Sequence, residues 1–447
     1  MTQCNSQLEL GFLGRKQITG AFDGGEISSD GGLVLVAQAD KALGLTAKLA
    51  AVLSDRRQAA KVRHPLRSLF AQRIYQIACG YEDCNDADDL RRDPVFKTCI
   101  GRPPQSGRDL ASQPTLSRFE NSITATALRR LCEVLVDAFI SQHRAAPPRS
   151  VVLDFDSTDD PTHGQQQLTG FHGYYREHCY LPLIVTAQVD GGAQHLLAAV
   201  LRPGRSHASR WARAVLARLV GKLRAAFPQV RIVFRADSGF ALPELYDWCE
   251  DHGVQYLLGI ARNPRLAALI APYLEQARAE HEQTGEKVRH IHQAQYAAET
   301  WRQPRRVLLK AEVMAQGDNP RFVVTNLVDD DPEALYGLYA ARGEMENRIK
   351  ELKADLQIDR TSCHRFAANG LRLILHAAAF VLLCYIRTHL AGTRLASAQV
   401  GTLQRSLLKL GVRVKETARR VWLQFATSCP VRDLWPLLWA RMRAAPA

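Results

Sequence analysis

The stretch "SVVLDFD", residues 150–156, decides how this chain is read. In an extended strand Val151, Leu153 and Phe155 share one face and Val152, Asp154 and Asp156 the other. The strand is otherwise suited to burial, and buried carboxylates need a partner or a metal. Downstream, "YLPLIVTAQVDGGAQHLLAAVL" reads as two strands joined by the turn "DGG", followed by a helix in "SRWARAVLARLVGKLRAAF". Another strand, "VRIVFRAD", leads into "SGF", then a helix "LPELYDWCEDHG" and a strand "VQYLLGI". The order β-β-β-α-β-α-β predicts an α/β fold. Asp237 closes the second acidic strand, at the kind of strand end where open α/β sheets present ligand-binding side chains.

A third acid comes from "LYAARGEMENRIKELK", residues 338–353. Asp331 is a predicted N-cap, with Pro332 at the first helical position and Glu333 in the first turn, so the spacing predicts one helix running through this stretch. At about 100° per residue, Tyr339, Arg342, Glu346 and Lys353 fall within an arc of roughly 60°. Leu338, Met345, Ile349, Leu352 and Leu356 form an adjoining apolar stripe, while Glu344 and Glu351 point elsewhere. The geometry selects Glu346 as an acid carried to the edge of the core contact. The same charges are also compatible with ordinary i, i+4 pairing on an amphipathic helix.

Asp156 (or Asp154), Asp237 and Glu346 suit a hard divalent cation, which takes oxygen ligands: Mg2+, with Mn2+ as substitute. Two such ions serve in-line phosphoryl displacement. A nucleic-acid backbone also accounts for the charge, because 58 Lys and Arg against 45 Asp and Glu leave +13, spread along the chain.

Tyr339, Arg342, Glu346 and Lys353, at those spacings, reproduce the Tyr-Arg-Glu-Lys (YREK) signature, and the chain resembles bacterial insertion-sequence DDE transposases of that branch. Four fixed residues arise by chance roughly once in a few hundred chains of this length. The segments "DSTDDPTHGQQ", "GYYREHCYLPLIV", "RADSGF" and "CHRFAANGLRLILHA" extend the likeness over nearly everything beyond about residue 105. The resemblance implies a ribonuclease H-like catalytic core, with catalytic and metal-holding roles for Asp156, Asp237 and Glu346 and DNA phosphate-binding cations at Arg342 and Lys353. Asp156 fits the first acid better than Asp154, because Ser157 and Thr158 follow it; Asp154 is kept as a supporting or alternate ligand, and Tyr339 as a supporting residue. Ser238 after Asp237 departs from the family's common Asp-Arg pattern. The implied activity is cut-and-paste transposition: binding of terminal inverted repeats, cleavage at each end and joining to target DNA, on double-stranded DNA and as a homodimer. Two alternatives share the acids or the fold: a ribonuclease H-like nuclease without joining, and a domesticated DNA-binding protein without catalysis.

The expected organisation is a helical, basic DNA-binding region over 1–148, ending at "RAAPPRS", in which Ser112 caps a helix carrying Thr115, Ser117 and the DNA-binding candidate Arg118. Core segments at 149–262 and 331–390 flank a β-rich insertion at 263–330, and a C-terminal region covers 391–447. In the last, "ARRVWLQFATSCP" fits a helix or a strand. Ten scattered cysteines, without a C-x-x-C pair, and a polar N-terminus lead us to expect a reduced, cytoplasmic, nucleoid-associated protein. "LRLILHAAAFVLLCYIR", from residue 371, is interrupted by Arg372 and His376, so a buried helix is expected there rather than a membrane span.

Overall fold

The computed structural model describes residues 7–328 and 331–444. They form two compact units, which divide after residue 122 and again after residue 377, with the segments on either side of 123–377 making up the second unit.

The first unit is built on a nine-stranded mixed sheet. Helix α1 (Ala125–Gln142) precedes strands β1 (Ser150–Ser157), β2 (Leu183–Val189) and β3 (Gln194–Val200). Helix α2 (Ala212–Ala226), strand β4 (Arg231–Ala236), helix α3 (Pro243–Asp251) and strand β5 (Gln255–Ile260) follow. Then come helix α4 (Pro264–Thr284) and strands β6 (Val288–Tyr296), β7 (Arg305–Met314) and β8 (Arg321–Thr325). The spatial order is β6-β7-β8-β5-β4-β1-β2-β3, with a two-residue strand, Gly317–Asp318, paired to β7. β1, β4 and β5 run parallel, and β1-β2-β3 form an antiparallel meander. This mixed α/β arrangement is compatible with a ribonuclease H-like fold.

Alternation along β1 separates two cores. Val151, Leu153 and Phe155 pack into a large cluster that also contains Phe139 of α1, Leu216 of α2, Tyr246 of α3 and Ile270 of α4. Val152 faces the opposite way, with Val233, Leu257, Leu308 and Val323, beneath Leu335 and Tyr336 of helix α5 (Pro332–Ala340).

Three expectations about organisation change. First, no unit boundary falls at residue 148: α1 carries Val136, Phe139 and Ile140 into the sheet core, and the division lies after residue 122. Second, residues 263–330 do not stand apart as an insertion. β8 pairs antiparallel with β5, and β7 and β6 continue the same sheet outward. Third, the expected single helix is segmented: α5 ends at Ala340, helix α6 spans Gly343–Lys350, and Glu351–Asp355 closes as a π-helical turn. Asp331 does cap α5, accepting from the N–H groups of Glu333 and Ala334.

The final core helix, α7 (Phe366–Thr388), is long and apolar enough to cross a membrane by length and composition, but 83% of its most apolar window is buried inside the protein. It runs through the residue at which the two units divide.

The second unit joins both chain ends. Strand Val412–Glu416 pairs with Ile27–Ser28 on one side and with Val421–Phe425 on the other, so the ambiguous C-terminal stretch is a strand. Gly32 allows this approach, because a Cβ there would lie 1.8 Å from the Leu407 carbonyl oxygen. Lys409 binds Asp30 at 2.8 Å and lies over the Tyr81 ring. The helix Gln113–Asn121 begins where expected, yet Ser112 meets the Thr115 hydroxyl rather than a backbone N–H, while Arg118 is exposed beside Thr115.

Within this unit Arg73 and Glu120 form an ion pair at 2.8 Å with both side chains fully buried, and Arg73 also donates to the carbonyls of Glu82 and Asp83. Removing one partner of such a pair strands the other charge. We therefore expect Arg73→Met to cost about 3–5 kcal/mol, read as a lowered urea midpoint, and the double variant Arg73→Met/Glu120→Leu to recover part of that loss.

Candidate active site

The register of β1 against β4 sets the site. Asp154 lies opposite Arg235 and Phe155 opposite Ala236, so Asp156 and Asp237 stand at the same end of two neighbouring parallel strands. The Asp237 carboxylate accepts from the Gly239 N–H at 2.9 Å and so starts the short turn Ser238–Phe240. Asp156 accepts from the Ser157 N–H at 2.8 Å and remains 15% exposed.

α5 delivers the next groups. Its Leu335 and Tyr336 dock on the sheet, and Tyr339 places its hydroxyl over Gly259 of β5, where a Cβ would come within 2.6 Å of it. The chain breaks immediately afterwards, which puts Arg342 at the N-cap of α6. From there its guanidinium forks, to Asp156 at 3.1 Å and to Glu346 at 3.1 Å. Asp156, Asp237, Tyr339, Arg342 and Glu346 are thus neighbours. Glu346 is 52% exposed and faces out of the cluster's rim.

Lys353 is not brought to this cluster. Its ammonium binds Asp159 at 2.9 Å and approaches Asp359 at 3.7 Å. The arc expected for a continuous α-helix is lost because the chain breaks after Ala340 and its last turn is π-helical. Of the two acids expected to point elsewhere, Glu344 is exposed, whereas Glu351 is buried and paired with Arg348 at 2.9 Å.

Asp154 is no open ligand. Both its oxygens are occupied by Arg235, at 2.5 and 2.7 Å, and one also accepts from Gln194 at 3.0 Å, with the side chain fully buried. Arg235 in turn donates to the Leu338 carbonyl near the end of α5. This partner was legible: "VRIVFRAD" places Arg235 on the same strand face as Asp237, in a strand that is otherwise apolar after Arg231 at its start.

The electrostatics follow from crowding. Burial pushes the Asp156 carboxyl up to about 6; Arg342 opposes this, while Asp237 and Glu346 add to it. Burial alone would lower the Arg342 guanidinium, yet Asp156, Tyr339, Asp237 and Glu346 hold it above its ordinary value. The Tyr339 hydroxyl is raised by burial and Asp237 against the opposing pull of Arg342. Among the described residues, no group of three or more His, Cys, Asp or Glu side chains is gathered closely enough to hold an ion. The charge that ties Asp156 to Glu346 is that of Arg342.

Acids supplied by two adjacent parallel strands and by a following helix define the DDE class of DNA-processing site. The chain belongs to the family described as transposase DDE domain group 1, whose pattern matches residues 10–447. It is in this broad sense a transposase. No curated protein matches it significantly.

The raised Asp156 carboxyl makes a stability prediction. The folded protein holds that proton more tightly than the unfolded chain, so the cost of ionising it is absent below about pH 4 and complete above about pH 6. We expect Asp156→Asn to raise the free energy of unfolding in urea at pH 8, by at most about 3 kcal/mol, and to leave it unchanged at pH 4. An equal effect at both pH values would show that burial of the charge is not its cause.

Proposed function

We propose that the protein is the transposase of a bacterial insertion sequence, of the branch marked by Tyr339, Arg342, Glu346 and Lys353. It binds the element's terminal inverted repeats, cleaves the DNA ends and joins them to target DNA in cut-and-paste fashion. The observation that carries this reading is the placement of Asp156 and Asp237 at one end of neighbouring parallel strands, with Arg342 and Glu346 brought over them. Joining two ends in one event calls for two copies of the chain on DNA.

The donor chemistry fits Mg2+ or Mn2+, although Arg342 now lies between Asp156 and Glu346 and the three acids must draw together to hold an ion. Carboxylate oxygens are the ligands these hard cations take, and a cation would offset both the burial that chiefly raises Asp156 and the lesser repulsion from Asp237 and Glu346. Asp156, Asp237 and Glu346 would hold two ions, which supply Lewis-acid activation for in-line phosphoryl displacement. Freed from the carboxylates of Asp156 and Glu346, Arg342 would bind a non-bridging phosphate oxygen, a charge-assisted bond for which its planar fork is suited. Tyr339, fixed over Gly259 beside the Asp237 turn, orients the Arg342 guanidinium. Lys353 steadies the loop after β1 through Asp159 and meets phosphate only by exchanging that partner. Water opens the strand, and the freed 3′ hydroxyl attacks target DNA.

A duplex carrying the sequence that flanks the gene, incubated with Mg2+ and target plasmid, tests the reading by nicking and by joining. Asp156→Ala, Asp237→Ala and Glu346→Ala are expected to abolish both while retaining binding in gel shift, and Glu344→Gln to act as wild type. Arg342→Ala should weaken cleavage by about 1.5–3 kcal/mol of lost phosphate contact. Glu351→Gln should appear instead as a folding defect, since its carboxylate is buried against Arg348. Nicking at the wild-type rate by any of the three alanine variants removes that acid from the site; cleavage without joining makes the protein a nuclease.

A further inference from the structure

Residues 191–236 contain nine Arg or Lys and no Asp or Glu. Several of these cations are consumed internally: Arg218 and Lys222 pair with Glu133, and Arg235 with Asp154. Arg205, Arg210 and Arg213 are exposed and form no ion pair among the described residues. They lie on or next to the loop between β3 and α2, whose last residue is Trp211. This indole is 43% exposed. Its backbone is left-handed, at φ 66° and ψ −1°, and the Arg210 guanidinium lies 5.4 Å from its ring centroid. A bulky residue in that conformation is strained, and strain of this kind persists only where the surroundings enforce it.

Arg202 braces the residues that lead into Trp211. Its side chain is completely buried without a carboxylate partner, and it donates to the carbonyls of Leu181, Ala208 and Arg210 and to the Ser157 hydroxyl. Burial lowers it to about 10. Ser157 adjoins Asp156, and Ala208 packs against Gly239, two residues beyond Asp237. The loop is therefore fastened to both acidic strand ends. An exposed aromatic ring on a braced loop, among cations without ion pairs, is the arrangement that holds unpaired nucleotides, by stacking a base while the cations follow the phosphates.

We propose that Trp211, with Arg210, is a single-strand clamp that stacks an unpaired base of the DNA strand next to the scissile phosphate. This rests on the transposase reading for its biological role, but its physical content is affinity for unpaired nucleotides. The test is fluorescence anisotropy of the full chain with a labelled 20-nucleotide oligothymidylate and with a 20-base-pair duplex, in EDTA. Trp211→Ala is expected to weaken oligothymidylate binding about 5- to 100-fold and duplex binding less than about threefold, with Trp211→Phe restoring most of the affinity. Trp211→Gly, which suits the left-handed backbone, provides a ring-free variant should the alanine variant be unstable. Arg210→Ala should reduce the slope of log K against log salt by about 0.7. Oligothymidylate binding by Trp211→Gly within twofold of wild type, or an equal loss on the duplex, overturns the proposal. Because no cleavage is measured, failure of the three acids in the nicking assay leaves this result standing, and the two readings fall separately.

Discussion

The buried pair of Asp154 and Arg235 organises the catalytic face. It bridges β1 and β4 at the level just before Asp156 and Asp237, and the remaining Arg235 nitrogen reaches the Leu338 carbonyl. Two strands and the end of α5 thus share one guanidinium. An ion pair fully out of water returns little net stability against apolar residues of similar shape, because desolvation consumes most of the attraction. What this pair contributes is position. Leu338 precedes Tyr339 and lies four residues before Arg342, so the bond that fixes Leu338 also fixes where α5 stops and where the Arg342 fork begins.

Much of this was legible in the sequence. The period-two pattern of 150–156 sorts its side chains onto the faces they occupy, and the order of the main strands and helices from residue 150 to 260 matches the chain. The strands Leu8–Leu13, Lys16–Gly20 and Ile27–Ser28, in contrast, fall in a region expected to be helical. Both strand-end acids were readable because an Asp in an apolar strand is expensive and calls for an explanation. The small strands Asp160–Pro161, Gly170–His172 and Glu177–Tyr180, between β1 and β2, were missed. They are two to four residues long, too short for a period to register.

Other features were hidden for different reasons. Helical phase carried past Ala340 assumes an unbroken 3.6-residue repeat, and nothing in "YAARGEM" except Gly343 marks the interruption. Lys353 accordingly serves Asp159, an acid three residues beyond Asp156 that no local pattern ties to it. The outer strands of the sheet resembled an insertion because they follow a 21-residue helix, α4, and membership of a sheet is decided by pairing across long separations. Arg202 was invisible in the same way: its four acceptors come from residues 157, 181, 208 and 210.

The unit made from both chain ends has a consequence for the order of synthesis. Its central strand, Val412–Glu416, must meet Ile27–Ser28, and Gly32 must nest against Leu407, across more than 370 intervening residues. The sheet of residues 123–377, in contrast, is complete once its own segment has emerged. During translation the acids of β1 and β4 are therefore assembled before the terminal unit can close. A message cut short before residue 412 yields a chain in which Ile27–Ser28 has no strand to pair with, so the terminal unit cannot close on such a product.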